Sequence, residues 1–249
     1  MTISYVQLTS VQSAAGPATP SSARGTDVLL FGATGMIGRG VLRECLLDPL
    51  VRRVLAVVRT ATGQHHPKLQ EILLPDFFAI DSLQQQLRGF DTCLYCLGVS
   101  AGGMSEQQYT RITYDLTLKI ADLLVRLDPD MTFIYISGAG TDSSGKGRFM
   151  WARVKGRTEN ALRGLPFRAT YMFRPGLVQP LHGVRSRTAS YRMLYAVTTP
   201  ILPLLRRLFP GAITTADQLG WAMLAVAHRG YGKPILENSD INAIAGAEP

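Results

Sequence analysis

Hydrophobic positions in this chain fall into short unbroken runs separated by helical repeats, and the first such pair sets the pattern. Val28, Leu29, Leu30 and Phe31 form a continuous apolar run, as expected of a strand buried on both faces. Beyond them Ile37, Val41, Leu42 and Cys45 recur at helical spacing, which predicts an amphipathic helix. The alternation then repeats. Arg53–Val58 predicts a second buried strand, and Leu69–Leu74 a short third one ended by Pro75 and Asp76. Ile80–Leu87 predicts a helix, and Asp91–Leu97 a fourth strand closed by Gly98. Ser105 with Gln108 forms a capping box. After it Tyr109, Ile112, Leu116, Ile120, Leu123, Leu124 and Leu127 carry one apolar face as far as Pro129. Met131–Ile136 predicts a fifth strand, Trp151–Leu162 a helix, Ala169–Phe173 a sixth strand and Ile235–Glu237 a last one. Thr215 and Gln218 repeat the capping-box spacing ahead of a helix that ends near His228.

Strands alternating with helices across short links imply an α/β domain built on a doubly wound parallel sheet. Residues 26–249 suffice for one such domain. Its texture changes after Gly176, where arginines surround an apolar stretch, Met193–Leu205, broken by Pro200 and Pro203. Residues 177–249 are expected to form a small C-terminal cap on the substrate side. Residues 1–25 are rich in Ser, Thr, Ala, Gln and Pro, with Arg24 their only charge. They lack the basic start and apolar centre of a signal peptide and are expected to be a disordered leader. No run of about twenty apolar residues is present, so no integral membrane span is expected.

Three glycines, Gly32, Gly35 and Gly38, lie between the first strand and its helix. Glycines there let the chain reverse sharply and bring bare backbone close to a ligand. The helix start offers unpaired N–H groups and the positive end of its dipole, which suits an anion, a dinucleotide pyrophosphate best of all. Gly32, Arg59, Gly98, Ser137 and Arg174 all fall at carboxyl ends of predicted strands, where such sheets bind ligands.

Charge adds a little. The chain has 26 basic and 18 acidic residues, net +8, but the arginines are scattered and form no stripe for nucleic acid. Of the three cysteines, Cys93 and Cys96 sit at an odd separation along one strand, which sends them to opposite faces and argues against a metal or redox pair. An odd cysteine count without a secretion signal implies a reducing compartment, taken as the cytoplasm. Homo-oligomerisation is left open.

Several segments together resemble the short-chain dehydrogenase/reductase superfamily: GATGMIG after the first strand, Leu97-Gly98 ending the fourth, Ser137 ending the fifth, Lys155 in the next helix, and Phe173-Arg174-Pro175-Gly176 ending the sixth. More narrowly they look like its atypical and extended branch, which includes NAD-dependent epimerase/dehydratase-type proteins. Cys96-Leu97-Gly98, Val154-Lys155-Gly156 and Phe173–Gly176 are similar to segments of the Tat-interacting oxidoreductase-like group. The resemblance covers about residues 27–240 and implies a Rossmann fold. It implies that Gly32, Thr34, Gly35, Met36, Ile37 and Gly38 hold a cofactor pyrophosphate, that Leu97 and Gly98 pass near its adenosine end, and that Lys155 binds the nicotinamide ribose. Ser137 would face a small-molecule substrate, and Pro175 and Gly176 would line the nicotinamide pocket.

The second strand ends in Arg59, with no carboxylate beside it. An acidic residue there would select NAD, whereas a guanidinium pairs with the 2′-phosphate of NADP. Arg39 can assist from the first helix. NADP is therefore expected over NAD. The family's tyrosine, four residues before the lysine, is here Trp151, and an indole N–H donates but does not ionise usefully. No tyrosine occurs between Tyr135 and Tyr171 to replace it. Tyr109, Tyr114, Lys146, His182 and Lys155 itself are the remaining proton donors to consider. The expected protein is an NADP(H)-binding oxidoreductase-like enzyme of small alcohols or carbonyls, with Ser137 and Lys155 positioning the reacting group. The alternatives are a non-catalytic cofactor-binding redox sensor or assembly partner, and a docking module built on Tyr191–Phe209.

Overall fold

The computed structural model describes residues 25–179, 181 and 213–247. Seven parallel strands form the main sheet in the order β3-β2-β1-β4-β5-β6-β9. They are β1 (Thr26–Phe31), β2 (Val51–Val58), β3 (Leu69–Leu73), β4 (Thr92–Tyr95), β5 (Thr132–Ile136), β6 (Ala169–Arg174) and β9 (Ile235–Glu237). β7 (Leu177–Gln179) and β8 (Ile213–Thr215) pair separately. The helices are α1 (Met36–Leu47), α2 (Glu106–Thr110), α3 (Leu116–Leu127), α4 (Met150–Arg163), α5 (Ala216–Arg229) and α6 (Asn238–Ala245).

The alternation of side chains along each strand builds two cores, one on each face. Val28 and Leu30 of β1 pack with Val41, Leu42 and Cys45 of α1 and with Leu219, Met223 and Val226 of α5. Their neighbours Leu29 and Phe31 face the other way, onto Ile120, Leu123 and Leu124 of α3. Cys93 joins this second core while Cys96 packs against the first, so the two thiols do occupy opposite faces. Tyr95 is buried between Phe31, Phe133 and Tyr135, with ring centroids 5.7–5.9 Å away, and its hydroxyl accepts a 3.0 Å bond from Thr117.

Three predicted elements differ. The helix expected over Ile80–Leu87 is a 3-10 turn, Phe77–Leu83, started by the Asp76 carboxylate on the Phe78 N–H and broken at Ala79. The long helix after Ser105 begins with its capping box but passes through a π turn, Arg111–Asp115, before α3. The fourth strand stops at Tyr95, although the Cys96 N–H still pairs with Phe31 O. β7, β8 and α6 had no forecast.

Within the segment expected to cap the sheet, β9 is the seventh strand of the sheet and α5 lies in the helix layer against α1. Those two helices approach through glycine. A Cβ on Gly40 would stand 2.7 Å from the Ala216 backbone, and one on Gly220 2.9 Å from the Val41 Cα. His228 near the end of α5 ties the pair to the sheet, bonded to Thr26 Oγ1 at 3.0 Å and Asp48 Oδ2 at 2.9 Å. The expected leader apart from Gly25, His182 and the stretch Tyr191–Phe209 lie outside the described residues. Among the described residues no helix is long and apolar enough to cross a membrane.

Candidate functional site

Strand register brings the carboxyl ends into one row. Phe31 pairs with Val57 and Tyr95, Tyr95 with Tyr135, and Ile136 with Phe173. Gly32, Arg59, Leu97, Ser137 and Arg174 therefore leave the sheet within a residue or two of one another. The strand order reverses between β1 and β4, which makes the crevice there the topological switch point.

The turn out of β1 is made of bare backbone by necessity. Gly32 holds φ +86°, and a Cβ on it would stand 2.6 Å from the Cys96 carbonyl. A Cβ on Gly38 would collide with the Gly32 carbonyl oxygen, so the first turn of α1 packs directly on the loop. Gly35 is the N-cap and contributes no side-chain cap; the first intrahelical bond from this end runs from Arg39 N–H to Gly35 O. The leading N–H groups of α1, at Met36, Ile37 and Gly38, belong to a helix start that no side chain closes. Thr34 is half-buried in the same loop, and Gly98 opposite it is exposed, with open space where a Cβ would go. This cradle fits an extended phosphate ligand on its backbone alone. Arg59 and Arg39 are both exposed, and neither has an ion-pair partner among the described residues. Glu71, the carboxylate on neighbouring β3, is taken up by the N–H and hydroxyl of Thr62.

At the other end of the row, Ser137 is clamped from both sides by α4. The Lys155 ammonium donates to the Ser137 main-chain carbonyl. One helical turn on, Glu159 Oε1 accepts the Ser137 hydroxyl at 2.5 Å. Glu159 is fully buried and pairs with Arg174, whose Nε reaches Oε1 at 3.0 Å while a terminal nitrogen holds Oε2. Arg174 continues to Ser143 Oγ at 2.6 Å and Glu237 Oε1 at 3.0 Å. The Glu159 carboxylate beside it raises the Arg174 guanidinium further above its ordinary range. Burial lowers Lys155 to about 8, with the nearby Glu159 charge pulling upward.

The loop after Ser137 lies hard against α4. A Cβ on Gly156 would overlap the Asp142 carbonyl, and the Asp142 N–H bonds to Ala152 O at 3.1 Å. The Trp151 ring rests against Gly140, whose Cβ would sit 3.5 Å from it. Ala139 N–H reaches Pro175 O at 2.8 Å, and Gly176 N–H reaches Asn238 Oδ1 at 2.7 Å, which fixes the Pro175-Gly176 corner.

Sequence reasoning had Arg174 at this row without a partner, and it missed Glu159, Ser143 and Glu237. A faint signal existed: Glu159 shares a helix face with Lys155 and with buried Thr158 and Leu162. Among the alternative proton donors, Tyr109 is buried in the core, Lys146 is exposed and Tyr114 is half-buried on the outer face of the π turn. A groove of about 600 Å³ runs beside β3, lined by Gly63, His65, His66, Pro67 and Glu71, and contains none of the predicted site residues. No cluster of metal-ligating side chains occurs among the described residues.

Comparison with known proteins agrees with this fold. Residues 28–147 match the NAD dependent epimerase/dehydratase family. Protein fmp52, mitochondrial, of Emericella nidulans is 30% identical over 159 residues, which covers 61% of this chain and 66% of that protein. Protein HTATIP2 of Rattus norvegicus is 27% identical over 154 residues, covering 61% of this chain and 62% of its own length. The chain thus matches just under two thirds of these relatives. Among solved structures, the YIR035C short chain dehydrogenase/reductase of Saccharomyces cerevisiae superposes with TM-score 0.63 at 13% identity, covering 90% of this chain and all of that one. The Bordetella bronchiseptica enzyme WbmF in complex with NAD+ gives 0.63 at 15%, covering 89% and 78%. These likenesses establish a Rossmann-like fold. The expectation of a cytoplasmic protein is overturned, because the Fmp52 relatives are named as mitochondrial. Unpaired cysteines report a reducing environment and do not say which compartment provides it.

Proposed function

We propose, from the premise that the chain belongs to the NAD dependent epimerase/dehydratase family within the short-chain dehydrogenase/reductase superfamily, that it binds NADP(H) and acts as an oxidoreductase on a small alcohol or carbonyl compound. The observation that carries this reading is the bare-backbone turn at the β1–β4 switch point, where Gly32 and Gly38 have no room for a side chain. Gly32, Thr34, Gly35, Met36, Ile37 and Gly38 would hold the pyrophosphate, and Leu97 and Gly98 the adenosine side. Pro175 and Gly176 would border the nicotinamide. The bound dinucleotide would supply or accept a hydride.

NADP is favoured over NAD by charge. Arg59 follows the end of β2 and Arg39 lies in the first turn of α1, both exposed, and the carboxylate on neighbouring β3, Glu71, is engaged by Thr62. A guanidinium there pairs with a 2′-phosphate. Lys155 can hold or move a proton near neutral pH, at Nζ, because burial brings it to about 8. Trp151 contributes a wall and a single N–H donor.

A calorimetric titration with NADPH and NADH tests the cofactor reading. Arg59→Ala should weaken NADPH about tenfold or more while leaving NADH nearly unchanged. Equal weakening of the two excludes the phosphate role, and no binding of either removes the proposal altogether. The second reading, a non-catalytic dinucleotide-binding sensor or assembly partner, is favoured by Trp151 alone. NADPH binding without turnover over a broad panel of carbonyl compounds would establish it.

A further inference from the structure

We infer that Asn238, at the start of α6, is a positioning residue for the nicotinamide half of the bound dinucleotide, acting through the main chain of the Pro175-Gly176 corner. The inference rests on the reading above that the chain binds NADP(H) with this corner at the nicotinamide. It adds to the site a helix that lies well beyond the family match over residues 28–147.

The corner is where the chain leaves the main sheet. β6 ends at Arg174, and β7 begins at Leu177 in a separate ribbon with β8. A turn between two sheets has no ladder of its own, so its polar groups need partners from elsewhere. Pro175 has no N–H to give, and its carbonyl accepts from Ala139 N–H at 2.8 Å. Gly176 then carries the one main-chain donor between the two strands, and that N–H goes to Asn238 Oδ1 at 2.7 Å. Asn238 is 7% exposed, so breaking the bond would leave its oxygen with little access to water.

α6 braces the same reversal from more than one side. Glu237, the residue before Asn238, pairs with Arg174 in the strand register, and its Oε1 accepts from a terminal nitrogen of that arginine at 3.0 Å. Glu237 is locked in turn by a capping box, in which Asp240 Oδ2 accepts the Glu237 N–H at 2.8 Å. One helical turn past Asn238, on the same face, Asn242 Nδ2 donates to Ile213 O at 3.0 Å. Ile213 is the residue of β8 that pairs with Leu177, the first residue after the corner. One asparagine thus holds the corner and the other holds the strand that receives it. The backbone there is placed by a side chain rather than by a ladder. The adenosine side is read as resting on Leu97, Gly98 and Arg59, and none of these α6 bonds reaches those residues.

Calorimetry on the full chain tests this with NADPH and with 2′,5′-ADP, which carries the adenosine 2′-phosphate and no nicotinamide. Asn238→Ala should weaken NADPH about tenfold and leave 2′,5′-ADP unchanged. The rise in NADPH fluorescence on binding should shrink with it. Asn238→Asp keeps the acceptor oxygen and should restore NADPH affinity to within about threefold of wild type. If Asn238→Ala does not fold, Asn238→Ser, whose shorter side chain falls short of Gly176, replaces it. Equal weakening of both probes, unchanged NADPH affinity, or an Asn238→Asp variant as weak as Asn238→Ala overturns the inference. A wild type that binds neither probe removes the cofactor reading as well, whereas one that binds both while the variants fail to separate them removes only the role of Asn238.

Discussion

Cutting the Glu159–Arg174 pair from either side, and then from both, measures how deeply that pair is set in the protein. Glu159→Ala strands a guanidinium that is 12% exposed. Its remaining carboxylate, Glu237, is 50% exposed, and such a rim contact contributes about 1 kcal/mol or less. The Ser137 hydroxyl loses least, because Phe173 O stands 3.2 Å away as a second acceptor. Arg174→Ala leaves a wholly buried carboxylate with the Ser137 hydroxyl as its neutral donor. Each single variant should lose about 3–5 kcal/mol, the cost of leaving one buried charge uncompensated. The double variant removes both charges at once and should fall short of the sum by about 2–3 kcal/mol. Urea unfolding followed by tryptophan fluorescence supplies the four free energies. Additivity within about 0.5 kcal/mol would mean that the pair is solvated, and the account of a rigid carboxylate behind Ser137 would fail with it.

Two further outcomes are expected. Burial lowers Lys155 from 10.5 to about 8. The folded chain then binds fewer protons than the unfolded one between those values, so this residue's contribution to stability rises with pH across the window. The unfolding free energy of wild type minus that of Lys155→Met should climb from pH 8 to pH 10.5, and a flat difference would show a solvated ammonium. Trp151→Tyr puts a phenol one helical turn ahead of Lys155. It should raise alcohol or carbonyl turnover about a hundredfold, the lower end of what a positioned proton donor supplies. Unchanged nicotinamide absorbance across the panel would argue that position 151 does not limit the chemistry.

The parts of this fold that local chemistry dictates were legible. Strands buried on both faces must be apolar throughout, so β1, β2 and β5 announce themselves within a residue or two. Both capping boxes are short-range bonds spelled out in four residues, and both form. The glycine turn is legible for the same reason, since no other residue fits Gly32 or Gly38. What failed depends on tertiary context. Ile80–Leu87 has helical spacing, yet Asp76 starts its turn early and Ala79 breaks it. β7 and β8 have three residues each, too few to show a period. The Glu159–Arg174 pair joins a helix to a strand, and in the linear chain each residue looks like an ordinary charge. The same limit applies to Ser137: position suggested a group that faces a ligand, and the structure shows its proton held by the buried carboxylate.

The bare contact between α1 and α5 bears on when this protein can finish folding as it is made. Gly40 and Gly220 lie far apart in the chain, and among the described residues Val41, Leu42 and Cys45 share their core with the sheet and with Leu219 and Met223 of α5. A nascent polypeptide ending at residue 147, the limit of the family match, holds the glycine turn but lacks α5, which packs against α1. This half therefore waits on α5 to emerge from the ribosome, with part of its apolar surface uncovered until then. A truncation ahead of residue 216 should yield insoluble material rather than a smaller binding module.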